Sequence, residues 1–271
     1  MTYSNELESK VAVITGGGGV LGGTIASYLA KAGAKIVILD LFEEVAVKKA
    51  KQIEDEGGTA IGMAANVLDK EVLTKVNDDI VSKFGKIDIL LNAAGGNMPG
   101  ATIGPDQTIF DLSIEAFSKV TDLNLNGSVL PSLVFGKTMA DAGSGSIVNF
   151  SSMSVAQAIT RVAGYSASKA AIENFTRWMA VEMAQKFGEG VRVNAIAPGF
   201  FIGEQNRALL TNPDGTLTDR GNTIIRNTPM GRFGEAEELC GSIEFLCTSA
   251  AKFITGIVIP IDGGFSAFSG V

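Results

Sequence analysis

Apolar residues fall along the chain in two alternating patterns. Short, continuous, β-branched runs occupy Val11–Thr15, Lys35–Leu39, Thr59–Ala64, Ile87–Leu91, Ser146–Phe150, Val191–Ile196 and Ile257–Ile261. A strand that is apolar at successive positions is covered on both faces, as in a parallel sheet. Between these runs the periodicity predicts helices near Leu21–Lys31, Glu43–Asp55, Lys70–Phe84, Ile114–Met139, Tyr165–Phe187 and Glu235–Thr248. Gly33, Gly57 and Gly188 follow three of them, where helices commonly end on glycine. This alternation predicts right-handed βαβ units in an α/β, doubly wound parallel sheet of about seven strands with helices on both faces. No repeat or charge block interrupts it, so one domain over residues 1–271 is expected.

Two segments break the rhythm. Asn97–Leu112 is rich in Gly, Pro and polar residues, and Phe200–Phe233 is long and mixed. Both follow the carboxyl end of a predicted strand, where open α/β sheets bind ligands. A substrate mouth is expected there, with a lid around 200–233.

Composition then removes whole classes of chemistry. The 271 residues include no histidine, which excludes Ser-His-Asp catalysis, His-ligated zinc and a histidine proton shuttle. Proton transfer must fall to a carboxylate, lysine, tyrosine or thiol with a shifted pKa. A net charge of −7 argues against nucleic acid as a partner. Cys240 and Cys247 have no companion ligands and read as small core residues, so no metal is expected. The opening MTYSNELESK has no apolar leader core and no run approaches a membrane span, so a cytoplasmic protein with no membrane partner is expected.

The first strand runs into Thr15-Gly-Gly-Gly-Gly-Val-Leu-Gly-Gly23 and then a helix. Glycines there permit a tight turn and let a pyrophosphate approach the amides of a helix N-terminus. Asp40 ends the second strand, where a carboxylate accepts from a ribose diol and repels a 2′-phosphate. Leu41 follows it, without the basic side chain that would welcome that phosphate. NAD is therefore the expected cofactor.

Tyr165-Ser-Ala-Ser-Lys169 begins a helical pattern, and the i, i+4 spacing puts both side chains on one face. An ammonium beside the phenol would lower its pKa and suit Tyr165 to donate a proton to a developing alkoxide. Ser152, just past a strand, has a hydroxyl able to polarise a substrate oxygen or simply to cap a turn. Asn124 is a polar interruption in an apolar helical pattern, which points to a side-chain bond to backbone or a kink.

In combination these pieces resemble the short-chain dehydrogenase/reductase family over essentially the whole chain. The stretches that carry the likeness are Thr15–Gly23, Leu91-Asn-Ala-Ala-Gly95, Asn124-Leu-Asn-Gly127, Ser151–Ser152, Tyr165–Lys169, Asn194-Ala-Ile-Ala-Pro-Gly199 and Asp262-Gly-Gly264. The resemblance implies a Rossmann-type fold with Tyr165 as catalytic acid/base and Ser152 fixing the substrate oxygen. Lys169 would tune the tyrosine and bind the nicotinamide ribose, and Asn124 would hold a water in a relay through Lys169. Gly16, Gly19, Val20, Leu21, Asp40 and Leu41 would hold the dinucleotide, with Asn66 and Val67 on the adenine side. Asn92, Ala93 and Ala94 would line the cleft, and Pro198 and Gly199 would border the nicotinamide. Two departures stand out: Val20 replaces a glycine of the usual turn, and Gly203 stands where a threonine is common.

Less generic stretches, among them Asn92-Ala-Ala-Gly-Gly-Asn97 and Glu204-Gln-Asn-Arg-Ala-Leu-Leu210, resemble the D-mannonate oxidoreductase (fructuronate reductase) subgroup. That likeness implies a hexuronate/aldonate substrate, although Met98 stands where the subgroup usually has histidine. Arg161 and Arg207 are candidates for a carboxylate, and Asn97, Gln205 and Asn206 for hydroxyls. Other short-chain reductases, of 3-oxoacyl-carrier or ketogluconate type, and a non-catalytic NAD-binding regulator remain alternatives. The family likeness also implies a homotetramer.

Overall fold

The continuous apolar runs become the strands of one parallel sheet. In the computed structural model, which describes residues 5–203 and 206–270, these are β1 (Val11–Thr15), β2 (Lys35–Asp40), β3 (Thr59–Ala64), β4 (Ile89–Asn92), β5 (Gly145–Phe150), β6 (Val191–Pro198) and β7 (Val258–Ile261). Their order across the sheet is β3-β2-β1-β4-β5-β6-β7, with every neighbouring pair parallel. The topology reverses direction between β1 and β4, so the loops leaving these two strands part on opposite faces and open a crevice at their carboxyl ends.

Strand pleating divides the core. Ala12, Ile14, Ile36 and Ile38 pack on one face with Ile25 and Leu29 of α1 (Val20–Lys31) and Ile243 and Leu246 further along. Val11, Val13 and Val37 face the other way, towards Leu73 and Ile80 of α3 (Lys70–Phe84) and the side chains Phe135, Met139 and Met179. Between α1 and α3 lies α2 (Glu43–Asp55). Gly33 and Gly57 take positive φ just after their helices, as the sequence predicts.

The predicted helix Ile114–Met139 is not continuous. It divides into α4 (Ile114–Thr121), a π turn (Asp122–Asn126) and α5 (Gly127–Ala142). Asn124 sits within the π turn, fully buried, and its Nδ2 donates to Val120 O. A wider turn of this kind is the usual accommodation of an inserted residue in a helix and often marks a functional position.

Three further helices complete the frame around the crevice. The long α6 (Ala163–Phe187) begins just ahead of Tyr165. Segment 200–233, in which no helix is predicted, carries the short α7 (Arg207–Leu210) and α8 (Asp219–Arg226). Its two ends are pinned together by the Phe201–Gly234 bridge, with Gly234 N donating to Phe200 O at 2.9 Å. The predicted helix at 235–248 opens as a 3-10 turn before α9 (Cys240–Cys247). Both cysteines are buried and free, their thiols pushed up to about 12 by burial. Among the described residues no helix is long and apolar enough to cross a membrane, and no cluster of three or more His, Cys, Asp and Glu could hold a metal.

Candidate active site

The crevice is built first by the turn after β1. Gly16 has φ +62, and a Cβ there would lie 2.8 Å from Ala94 Cα, so only glycine lets this turn lie against the backbone leaving β4. Thr15 Oγ1 accepts from Ala94 N at 3.1 Å and joins the same two strands. Gly19 is the N-cap of α1 and offers no side chain, and no acidic residue stands in that first turn. The amides of Val20 and Leu21 open the helix without an intrahelical acceptor. Val20 itself is 43% exposed, so its branched side chain is accommodated at the helix start rather than forced into the turn.

The Asp40 carboxylate, at the end of β2, accepts from Gly18 N at 3.3 Å and is thereby set beside the turn. Leu41 and Phe42 next to it are both well exposed. Asn66 is exposed and its Oδ1 is committed to Leu68 N at 3.0 Å, while Val67 is buried beneath it.

A second group gathers beyond β4. Asn124 Oδ1 accepts from Gly96 N at 3.0 Å, and its Nδ2 donates to Gly96 O at 2.8 Å. The neighbouring Gly95 leaves no room for a side chain: a Cβ would lie 2.7 Å from Asn124 Oδ1 and 3.4 Å from Lys169 Nζ. Asn124 and Lys169 therefore meet the same point of the chain from different elements. Asn92, fully buried, turns away from the crevice to donate to Ser132 Oγ and Asn149 Oδ1, each at 2.8 Å.

Ser152, Tyr165 and Lys169 come together across the gap from β5 to α6. Ser152 is buried and accepts from Ser154 N at 3.2 Å, so it caps a 3-10 turn and also hydrogen-bonds the Tyr165 side chain. Lys169 is 4% exposed, and its Nζ donates to Phe150 O at 2.7 Å and stands 5.5 Å from the centre of the Tyr165 ring. Burial pushes the ammonium down to about 8. Burial also pushes the Tyr165 phenol above its ordinary value, against a smaller lowering by Ser152. The expected lowering of that phenol by Lys169 is therefore not met: desolvation of the charged form dominates.

The mouth departs further from expectation. Asn206 is not placed for a substrate hydroxyl, because its Nδ2 donates to Phe201 O and its Oδ1 accepts from Gly203 N, both at 2.8 Å. It braces the start of segment 200–233. Gly203 has open space about it, so nothing local demands glycine there. Arg207 is exposed on α7 with no side-chain partner among the described residues. Gln205 lies outside the described residues. Asn97 is tied into its own loop through Thr102 Oγ1 at 2.6 Å. Arg161 is half-buried at the foot of α6, and its carbonyl accepts from Ile103 N at 3.0 Å. Sequence reasoning missed Arg220, whose Nη1 donates to Thr160 Oγ1 at 3.1 Å. It also missed Gln157, whose Nε2 reaches Ser266 O near the C-terminus at 3.1 Å.

Residues 19–266 match a family described as enoyl-(acyl carrier protein) reductase. The chain is also 47% identical over 274 residues to an uncharacterized oxidoreductase, UxuB, of Bacillus subtilis (strain 168), covering 98% of each. It belongs to the short-chain dehydrogenase/reductase family. A solved structure from Haemophilus influenza, provisionally described as a D-mannonate oxidoreductase with bound NAD, superposes with a TM-score of 0.91 at 45% identity over 98% of both chains. Another, a gluconate 5-dehydrogenase from Burkholderia cenocepacia J2315 in complex with NADP and tartrate, gives 0.86 at 31% identity over 97% of this chain and 98% of that one.

As a member of that family the chain is an oxidoreductase acting on alcohol groups with a nicotinamide dinucleotide. Its own residues fit such a group. The open N-terminus of α1, free of side-chain caps, suits a pyrophosphate. Asp40 stands beside it as an acceptor pair for a ribose.

Proposed function

We propose that the chain reduces the ketone of a hexuronate with NADH, the most specific pair being fructuronate to D-mannonate. The observation that carries this reading is the convergence of Ser152, Tyr165, Lys169 and Asn124 at the edge of a dinucleotide crevice. The likeness to a solved NAD-bound structure described as a D-mannonate oxidoreductase supports the substrate. Asp40, followed by the apolar Leu41, supports NAD over NADP, since a carboxylate repels a 2′-phosphate.

In this reading the nicotinamide, when bound, supplies the hydride to the carbonyl carbon. Tyr165 gives its proton to the oxygen, and the burial that raises its phenol keeps that proton in place at neutral pH. Ser152 donates to the same oxygen and polarises it. Lys169, its ammonium held by Phe150 O, lies beside Gly95 with Asn124 and returns a proton to Tyr165 after turnover. Gly16, Gly19, Val20 and Leu21 hold the pyrophosphate, Asn66 and Val67 border the adenine, and Ala93, Ala94, Pro198 and Gly199 border the nicotinamide. Arg161 addresses the substrate carboxylate. Residues 1–271 act as one catalytic domain with 200–233 as its lid, working in the cytoplasm as a homotetramer.

The test is NADH oxidation against a panel of keto-uronates, ketogluconates and acyl ketones. Turnover of a keto-uronate is expected; turnover of acyl ketones alone overturns the sugar-acid reading. A ketogluconate would be the substrate if the likeness to the gluconate 5-dehydrogenase carries more weight than that to the D-mannonate oxidoreductase.

A further inference from the structure

Arg220 belongs to α8, the second helix of segment 200–233. Its guanidinium crosses to the opposite wall of the mouth, with Nη1 donating to Thr160 Oγ1 at 3.1 Å and Nη2 reaching Thr160 O at 3.5 Å. Thr160 immediately precedes Arg161, and Arg161 stands four residues before Tyr165. Both arginines are half-buried. Arg161 holds φ +76, a left-handed conformation that a non-glycine residue adopts only when its surroundings impose it. Ile103 N, from the other loop of the mouth, bonds the Arg161 carbonyl at 3.0 Å and fixes it there.

Arg220 is thus anchored on the residue next to Arg161, and the two half-buried cations share one wall of the mouth. Burial, and next the charge of Arg161, holds Arg220 below its usual pKa. No carboxylate among the described residues makes an ion pair or a hydrogen bond with either. The 25-residue α6 begins two residues after Arg161, and the positive end of its dipole adds to the same field. Like charges so arranged repel until an anion enters between them, and a carboxylate matches two guanidinium forks.

We propose that Arg161 and Arg220 together form the seat of the substrate carboxylate, so that an acidic substrate ties the lid helix α8 to the wall that carries Tyr165. The assignment rests on the sugar-acid reading above. It replaces Arg207 as the second cation and gives the lid a determinant of specificity: a neutral ketose lacks the group that bridges the two arginines.

The test compares the wild-type enzyme with Arg161→Gln and Arg220→Gln. Steady-state reduction is measured with fructuronate and with neutral fructose, and D-mannonate is titrated calorimetrically into the NAD-loaded enzyme. Each variant is expected to lose about tenfold to a hundredfold in kcat/KM for the keto acid, mostly through KM, with the same loss in mannonate affinity. The KM for NADH and any turnover of fructose should stay within about twofold. Arg220→Lys should recover only part of the loss, because a point charge does not reproduce the fork. Equal losses on acid and neutral ketone, or no loss in mannonate binding, overturn the seat and leave the sugar-acid reading standing. If the wild type reduces only neutral or acyl ketones yet binds mannonate through both arginines, the seat stands and the reaction assigned above falls. If the wild type neither reduces fructuronate nor binds mannonate, both fall.

Discussion

Asn124 closes two hydrogen bonds on the main chain of one residue, Gly96, accepting from its N–H at 3.0 Å and donating to its carbonyl at 2.8 Å. A side chain from a π turn thereby fixes the backbone that lies between the dinucleotide crevice and Lys169. Asn124→Ala leaves the part-buried N–H and C=O of Gly96 without these partners, each costing up to about 1–3 kcal/mol. A loss of about 2–4 kcal/mol in urea unfolding is expected. A loss below about 0.5 kcal/mol would show that the backbone re-pairs on its own.

Tyr165→Phe removes the proton donor of the proposed reaction and leaves the ring and its packing. Turnover should fall by about a hundredfold or more, within the usual contribution of a general acid. NADH binding, followed by nucleotide fluorescence, should change less than about twofold. Wild-type turnover in this variant would remove Tyr165 as the acid.

Lys169 gives a pH signature. Its pKa is about 8 in the folded chain against the ordinary 10.5, so between these values the unfolded chain binds more protons and stability rises with pH. Below about pH 8 the buried charge costs the fold its full penalty. Lys169→Met should abolish the rise, the wild type gaining about 1 kcal/mol from pH 8 to 9 that the variant does not. Chemical denaturation in that narrow window is the measurement; parallel curves for the two proteins would exclude the linkage.

Above pH 9 the two thiols act in the opposite sense. Buried Cys240 and Cys247 stay protonated to about 12, while an unfolded thiol ionises near 9, so stability falls as pH rises through this range. Replacing both by alanine should flatten the decline between pH 9 and 10.5. An unchanged slope in the double variant would locate the alkaline loss elsewhere.

The proposed preference for NAD places the choice of dinucleotide on Asp40 and Leu41. Asp40→Ala with Leu41→Arg removes the repulsion of a 2′-phosphate and adds a cation for it. The ratio of kcat/KM with NADH to that with NADPH should fall by about a hundredfold. A ratio that does not move would place the discrimination outside this pair.

The strands were legible because a sheet covered on both faces demands unbroken apolar runs, and β1 and the bodies of β2, β5 and β6 follow from that alone, whereas β3 lies at the sheet edge and is only partly covered. The glycine-rich turn, Asp40 and the Tyr165–Lys169 pair were legible for a related reason: each works through local geometry, a turn or an i, i+4 face. The absence of histidine left the lysine-neighboured tyrosine as the route to proton transfer that this sequence spells out. What the sequence could not determine were partners distant along the chain. Asn206 offers an amide that suits a sugar, and only the folded segment 200–233 shows both of its ends spent on Phe201 and Gly203. Arg220 lies sixty residues from Thr160, so their meeting depends on how α8 docks. The Tyr165 phenol shifts upward because burial, a property of the assembled fold, outweighs the lowering by the Ser152 hydrogen bond. Local periodicity and turn chemistry are written in neighbouring residues; desolvation and long-range hydrogen bonds exist only once the sheet has brought its loops to one edge.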